Sequence, residues 1–480
     1  MEIDEIIQQR MQKLNNLKTK GITIYAKAYS ERLEIGRLLV DFKEAEEVCI
    51  AGRIMAKRLH GKVIFLDLRD ATGKIQLYFK ADILGEGKFS IIEDLDIGDF
   101  IAVKGQTFRT HSGEPTVKVE DYYILVKSLR PLPEKWHGLK DIELRYRQRY
   151  LDLIANEQTK TVFVLRSQVI KSIRSFLDKR GFLEVETPMM QDIPGGASGR
   201  PFKTHHNEYD RDLYLRIAPE LYLKRLLVGG LDKVYEINRS FRNEGVSSRH
   251  NPEFTMLEVY CAYADYQDMM QLCQDLIIIV AEEVLGKIQF SYQGRTVDLR
   301  PPWQRRSFAQ MVKERFDILP IDEPEVMLKK LQDKGFAKGL SRLSRSQVAK
   351  LIEDILEQDM SANPVFVEDY FTNLCPLAKT KPDNPLISER FELYIAGIEL
   401  ANAYSELNDP IEQRRRFQQE IKELPAEEKR VLDEDYIMAL EYGMPPAGGL
   451  GIGIDRLAML LTDQASIRDV ILFPLLKPLG

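Results

Sequence analysis

The sequence predicts a multidomain protein: a small β-barrel module, a linker, and a larger body of mixed helices and strands. Three observations predict this. At 480 residues the chain is too long for one hydrophobic core, since cores stop growing near ~250–300 residues. Between positions 47 and 127, short β-rich runs alternate with turn signals. Beyond position 145, a long amphipathic helix, a proline-closed strand, a charged strand–loop–strand and a glycine-rich strand–helix follow in order.

The first domain is read as 1–130. Within its first twenty residues Ile3, Ile6, Ile7, Met11, Leu14 and Leu17 recur at helical spacing. Acids come first (Glu2, Asp4, Glu5) and bases later (Arg10, Lys13, Lys18, Lys20), the order a helix dipole favours. Strands are expected at 48–54, 63–68, 75–79, 100–105 and 117–126, with an intervening segment at 81–95. Five strands in this arrangement resemble an OB-fold barrel, a fold that often stacks single-stranded bases on aromatic rings beside cationic side chains. Arg58, Phe65 and Gln76 lie on successive strands or strand ends and supply charge, a ring and an amide. Strands also bury aromatics, so a core position for Phe65 stays open.

A linker follows at 131–145, marked by Pro131 and Pro133, and the body spans 146–480. A helix over 166–180 is stopped by Gly181, and Phe182-Leu183-Glu184-Val185-Glu186-Thr187 forms a strand closed by Pro188. Further on, Phe241-Arg242-Asn243-Glu244-Gly245 leads through a loop to Arg249-His250-Asn251-Pro252-Glu253-Phe254. On the outgoing strand Phe254, Met256, Glu258 and Tyr260 share one face, because side chains alternate with period two. Arg242 ends the incoming strand, where a planar guanidinium can grip a phosphate in bidentate fashion. The layout suits a nucleotide lying flat on Phe254 with its phosphates at Arg242.

Near the C-terminus Gly449-Leu450-Gly451-Ile452-Gly453 runs into Ile454-Asp455-Arg456 and an apolar helix. Alternating glycines let a backbone pass close to a ligand, and Arg456 sits in a first helical turn that favours anions. A dinucleotide fingerprint is excluded, because it needs a further βα unit and an acid about twenty residues on. No Gly-Lys-Ser/Thr phosphate loop is present.

Two further strands, 390–396 and 399–407, are joined near Gly397. Asn402, Tyr404 and Glu406 share a face of the second; Glu399 has the opposite parity and joins them only through a bulge. Glu220 opens a helix that ends at Gly229-Gly230. A pocket holding Glu220, Glu258 and Glu406 is anionic, and bare carboxylates in one cleft repel each other. A substrate with two ammonium groups relieves that repulsion, which points to lysine.

These segments together resemble the lysyl-tRNA synthetase family of class II aminoacyl-tRNA synthetases. The helix, glycine, strand and proline of 166–188 resemble motif 1, the 241–260 region motif 2, and the 449–461 region motif 3. Pro194-Gly195-Gly196-Ala197, Arg216-Ile217-Ala218-Pro219-Glu220 and Tyr404-Ser405-Glu406-Leu407-Asn408 extend the likeness. The resemblance implies an α+β catalytic domain on an antiparallel sheet, ATP- and Mg²⁺-dependent lysine activation, and transfer to lysine tRNA by a homodimer. It implies that Glu220 holds the α-amine of lysine, and Tyr260 and Glu406 the ε-amine. Gly196, Glu258, Asn402 and Tyr404 complete that site. Arg242 contacts the α-phosphate and the lysine carboxylate, Phe254 the adenine and Arg456 the γ-phosphate, with Glu244, His250 and Asn251 lining the ATP site. Glu392 and Glu399 match magnesium ligands, and Arg58, Phe65 and Gln76 match residues that read the central anticodon base.

Composition fits these expectations. Hydrophobic residues make up 44% and charged residues 30%, and no apolar run approaches the ~20 residues of a membrane helix. Cys49, Cys261, Cys273 and Cys375 form no CxxC pair, which fits a reduced, cytoplasmic protein rather than disulfides or zinc. A net charge of −6 argues against indiscriminate nucleic-acid binding but leaves room for one basic face. Aspartyl- or asparaginyl-type synthetases share the domain order, yet their pockets want a cation or amide where this one has acids. A protein-lysylating paralogue has no use for an anticodon barrel, and a non-catalytic regulator has none for the intact arginines. The segment 298–378 carries no interpretable motif and is expected to be an insertion over the site.

Overall fold

A computed structural model describes residues 3–133, 139–197, 199–341, 343–423 and 431–478. The chain divides into two compact units, Met1–Asp141 and Ile142–Gly480. The expected linker falls partly on 134–138, and the expected lead acid Glu2 on the first two residues, both outside the described residues. What is described of the linker ends in a short helix, Ile142–Arg147, that the prolines had obscured.

The first unit opens with helix α1 (Ile3–Thr19), which buries Leu14, Leu17 and the stem of Arg10, while Ile3 and Met11 stay exposed. The Arg10 guanidinium donates to the carbonyls of Ser128 and Arg130, both at 3.1 Å, so this base serves the fold. Five strands follow: β1 (Glu47–His60), β2 (Val63–Arg69), β3 (Lys74–Lys80), β4 (Phe100–Arg109) and β5 (Pro115–Val126). They close a barrel in the order β1-β2-β3-β5-β4, an OB-fold, with short helices between β3 and β4. Alternation sends Ile64, Leu66, Leu68, Ile75, Leu77 and Phe79 inward.

The second unit is built on an eight-stranded, largely antiparallel sheet. Its strands are β6 (Leu183–Glu184), β7 (Lys233–Phe241), β8 (Glu253–Ala262), β9 (Gln304–Ser307), β10 (Val365–Glu368), β11 (Arg390–Ile395), β12 (Ile398–Ser405) and β13 (Ala447–Gly453). The order is β9-β10-β11-β12-β13-β8-β7-β6, and only the β9–β10 and β7–β6 pairs are parallel. One face carries the apolar core: Leu257 and Val259, Phe391 and Leu393, Ala401 and Ala403, Leu450 and Ile452. Helices α2 (Glu157–Asp178) and α4 (Tyr266–Leu285) supply Ile173, Phe176, Leu276 and Ile277 to it. Helix α3 (Glu220–Val228) lies between them in sequence and serves the opposite face. The alternate residues of each strand therefore face the other side, where the polar groups collect.

Three sequence expectations change here. The helix expected at 166–180 begins nine residues earlier, because Thr159 and Val162 continue the buried stripe of Val169, Ile173 and Phe176. The strand expected at 182–188 shrinks to Leu183–Glu184; it sits at the sheet edge with Leu183 exposed, and only these two residues find ladder partners. The segment 298–378 is not a separate insertion throughout, since β9 and β10 near its ends are strands of the main sheet. Between them run three helices, the last being α5 (Arg345–Glu357). Phe308, Phe316, Leu331, Val348 and Ile352 give these helices their own core.

Candidate functional site

The polar face of the sheet floors a cavity of about 920 Å³. That is near the upper end of small-molecule pockets, enough for two substrates at once. Register sets the floor in rows. Tyr260 lies opposite Gly449, which lies opposite Tyr404. In the next row Glu258 faces Gly451, Gly451 faces Asn402, and Asn402 faces Glu392. Glycine is required in the middle of the first row: a Cβ on Gly449 would stand 1.9 Å from Glu406 Oε1 and 2.7 Å from Tyr260 Cε1. On β12, Leu393 pairs with Ala401 while Tyr394 pairs with Glu399, so Leu400 is the extra residue of a bulge. That bulge turns Glu399 to the face of Asn402 and Tyr404, as parity demanded.

At one end of the cavity, Glu220, Glu258, Tyr260, Tyr404 and Glu406 come together. The Tyr260 hydroxyl donates to Glu258 Oε2 at 3.1 Å, and the Tyr404 hydroxyl to Glu220 Oε1. Burial, then the neighbouring Glu220, push the Glu258 carboxyl up to about 8. Burial likewise raises Glu406 to about 8. Gly196 closes this end at a positive φ of 83°, where a Cβ would stand 3.1 Å from Glu220 Cβ.

The carboxylates are not bare, which corrects the expectation from charge counting. Lys224, one turn beyond Glu220 on α3, places its ammonium 2.7 Å from Glu220 Oε1 and against Glu406 Oε2. Burial opposes its charge, but Glu220 and Glu406 raise its pKa above the usual lysine value. The i,i+4 acid–base spacing on a helix was the signal in the sequence for this pair. Behind Glu258, Arg216 pairs with the buried Glu236 at 2.6 Å.

The other end of the cavity carries cations among acids, Arg456 paired with Glu399 and Arg249 with Glu357. Arg242 follows β7 and lays its guanidinium over the Phe254 ring, 5.1 Å from the centroid. One face of Phe254 is therefore already covered by the arginine, and the flat-nucleotide arrangement has only the other face. Among the described residues Arg242 Nε is buried without a hydrogen-bond partner. Helix α6 (Glu434–Glu441) lies beside the acidic end, and α7 (Ile454–Leu461) carries Arg456 at this one. Asp455 fixes α7 by accepting from the Thr255 backbone at 2.7 Å and pairing with Arg166 at 2.6 Å. Arg456 then reaches Glu399, with Nη1 2.9 Å from Oε2. Against the upward pull of burial, Arg456 and then Lys350 hold Glu399 down at about 2. His250 lies 3.4 Å from Arg456 Nη2, and burial followed by Arg456 lowers its pKa. Glu244 and Asn251 also line this end.

Sequence reading missed the contribution of α5. Lys350 and Glu353 line the cavity, and Glu357 pairs with Arg249 at 2.7 Å. Burial, then the Glu392 charge, raise Glu353 to about 8. Glu392 accepts from Arg390 on Oε1 and from Tyr370 and Tyr394 on Oε2, at 2.7 and 2.6 Å. A carboxylate offers about four lone-pair sites, so one remains for a cation. Carboxylate oxygens suit a hard dication such as Mg²⁺. Among the described residues no ready-made group of three or more His, Cys, Asp or Glu ligands occurs.

Two comparisons place the chain. Residues 141–477 match the family described as tRNA synthetases class II (D, K and N), and residues 48–125 match the OB-fold nucleic acid binding domain. The lysine–tRNA ligase of Carboxydothermus hydrogenoformans is 53% identical over 486 residues, covering 99% of both chains. That of Pelotomaculum thermopropionicum is 54% identical, covering 99% of this chain and 96% of its own. That of Clostridium tetani is 49% identical, covering 99% and 97%. The chain belongs to the lysine–tRNA ligase family. As a member of that family it carries the class II catalytic domain on the antiparallel sheet and an OB-fold barrel before it.

The outer face of that family barrel gathers the three residues singled out in the sequence. Phe65 lies directly opposite Arg58 on β1 and Tyr78 on β3, and Gln76 opposite Asp67. Phe65 is half-buried and absent from the barrel core; its ring centroid is 5.3 Å from that of Tyr78. Arg58 pairs with Asp67 at 2.6 Å. The Gln76 amide is already engaged, donating to Glu114 at 2.9 Å and accepting from Thr116 at 3.2 Å. All four cysteines are free thiols, and no described helix is long and apolar enough to cross a membrane.

Proposed function

We propose that the chain is a lysine–tRNA ligase, activating L-lysine with ATP and transferring the lysyl group to the terminal adenosine of lysine tRNA. The observation that carries this reading is the cavity with three carboxyl groups at one end and two arginines at the other. Its acidic end suits an amino acid with two ammonium groups. An aspartate or asparagine side chain would meet carboxylates there instead of donors, and a protein-lysylating enzyme would have no use for the barrel face.

In this reading Glu220 takes the α-ammonium, while Glu406 and Tyr260 take the ε-ammonium. Glu258, Asn402 and Tyr404 complete the pocket, and Gly196 closes on the substrate. Arg242 holds the lysine carboxylate and the α-phosphate together, so that nucleophile and electrophile meet in a fixed orientation. Lysine's carboxylate is already ionised at neutral pH, and no general base is needed for the first step. It attacks the α-phosphorus in line, the α–β phosphoanhydride breaks and pyrophosphate leaves; Arg242 and Arg456 neutralise charge that develops on the triphosphate. The free face of Phe254 stacks on adenine, and Glu244, His250 and Asn251 line the nucleotide. Glu392 and Glu399 would hold Mg²⁺, which when bound screens the phosphate oxygens. The terminal hydroxyl of tRNA then attacks the carbonyl of the lysyl-adenylate, forming the ester as the acyl–phosphate bond breaks and AMP leaves. Arg58 and Phe65 hold an anticodon base, with Gln76 exchanging one of its internal bonds for the base edge. A cytoplasmic homodimer meeting through 176–190 completes the proposal.

The test is ATP–pyrophosphate exchange with each amino acid in turn, without tRNA. Exchange should depend on lysine and Mg²⁺. Exchange supported by aspartate or asparagine and not by lysine would reject the substrate assignment.

A further inference from the structure

We propose that Lys224 is a positioning residue for the substrate: wedged between Glu220 and Glu406, it fixes which carboxylate oxygens face the cavity and sets the pH at which they accept lysine. The inference rests on the reading of Glu220 and Glu406 as the two ammonium sites.

Lys224 is fully buried and does not line the cavity, while both of its carboxylate partners do. It therefore touches the walls and not the ligand. Its ammonium occupies Glu220 Oε1, an oxygen shared with the Tyr404 hydroxyl, and Glu406 Oε2. That leaves Glu220 Oε2 and Glu406 Oε1, one oxygen on each side chain, for the two ammonium groups of the substrate. Among the described residues both Glu406 oxygens are buried without a hydrogen-bond donor; Oε2 has the Lys224 ion pair and Oε1 has none, the condition expected of an atom awaiting a ligand. The Lys224 ammonium lies over the Tyr404 ring, 5.4 Å from its centroid.

The charged and titratable groups around Lys224 come from four elements. Glu220 is on its own helix α3, and Tyr404 and Glu406 lie on and just after β12. Glu258 and Tyr260 are on β8, backed by the Arg216–Glu236 pair, and Tyr436 is on α6. In this set Lys224 is the cation next to Glu220 and Glu406. Without it, Glu406, which burial already holds at about 8, would keep its proton to still higher pH. That proton competes with the substrate ammonium.

The sign follows. Burial lifts Glu406 and Glu258 to about 8, with Lys224 pulling Glu406 back down. A dicationic substrate favours the ionised carboxylates, so lysine binds more tightly as pH rises toward 8 and releases protons as it binds. Removing Lys224 raises the carboxyls further and moves the whole profile to higher pH.

The experiment measures lysine-dependent ATP–pyrophosphate exchange and calorimetric lysine binding between about pH 6.5 and 9. It compares the full-length wild type with Lys224→Met and Lys224→Arg. For Lys224→Met, the pH midpoint of the lysine KM should rise by about one unit, raising KM at pH 7 roughly tenfold or more. The ATP KM should stay within about threefold. Lys224→Arg should keep the midpoint, because the charge remains. Its lysine KM should still rise, because a planar fork cannot hold the same two oxygens. A folded Lys224→Met protein with unchanged midpoint and lysine KM would overturn the inference. If that variant fails to fold, Lys224→Arg decides, and a wild-type lysine KM there overturns it; failure of both to fold assigns Lys224 to the fold alone. Wild-type protein without lysine-dependent exchange would instead overturn the site reading itself.

Discussion

Arg242 follows β7 and Arg456 lies in the first turn of α7, yet the fold brings them to one end of a single cavity with Phe254 and His250. Neither is part of the apolar core, so removing either side chain tests chemistry more than folding. Arg242→Ala and Arg456→Ala should each lower ATP–pyrophosphate exchange by ~100-fold or more, the usual effect of losing one electrostatic donor. The tRNA dissociation constant should stay near the wild-type value, and exchange at wild-type rates would remove both residues from phosphate binding. Individual residues differed in how legible they were. Glu258 and Tyr260 followed from period-two alternation alone. Glu399 needed the bulge at Leu400, whose presence depends on its pairing with a neighbouring strand. Lys224 was visible only as helix spacing, because its second partner, Glu406, lies 182 positions away in the chain and meets it only after folding.

Among the elements, β13 is the most constrained. Its inward residues Leu450 and Ile452 fill the core, and its outward Gly449 leaves room for Glu406 and Tyr260. Gly449→Ala places a methyl against Glu406 and Tyr260, an overpacking that costs about 1–3 kcal/mol. The lysine KM should rise at least roughly tenfold with the ATP KM nearly constant, as expected when binding at one subsite alone is lost. An unaltered lysine KM in a folded Gly449→Ala protein would show that Glu406 is not held where the structure puts it. Helix α5 teaches a different lesson. Its apolar spacing was readable, but nothing local says that Lys350 and Glu353 line the cavity; only the β9–α5–β10 path brings them there.

For the whole molecule, the two compact units allow base reading and chemistry to be separated by mutation. Phe65 lies outside the barrel core, so Phe65→Ala should cost little beyond its ring contact with Tyr78, about 0.5–1.5 kcal/mol. Loss of a stacked base is worth ~1–3 kcal/mol, so tRNA binding should weaken while exchange stays unchanged. Thermal unfolding measured beside tRNA binding checks this; a stability loss large enough to explain the binding loss would reject base stacking. Association is the second molecular prediction. Leu183, Met189 and Met190 are exposed apolar residues in the segment proposed to meet its copy, a patch that a two-fold contact would use twice. Sedimentation at micromolar concentration should give a dimer, and a fully active monomer would contradict it.

The sequence by itself determined the positions of the five barrel strands, the charged hairpin and the glycine strand. These rest on local periodicity, turn residues and short motifs, which act within a few residues of one another. The length of α2, the shrinkage of the 182–188 strand and the sheet membership of β9 and β10 were decided by tertiary structure. So was the neutralising role of Lys224. In each case the deciding partner is remote in sequence: a ladder neighbour, the α7 residues Ala458 and Met459 that cluster with Val162, or the carboxylate of Glu406. Local propensity proposes an element; burial and pairing with distant residues decide where it stops and which way its side chains face.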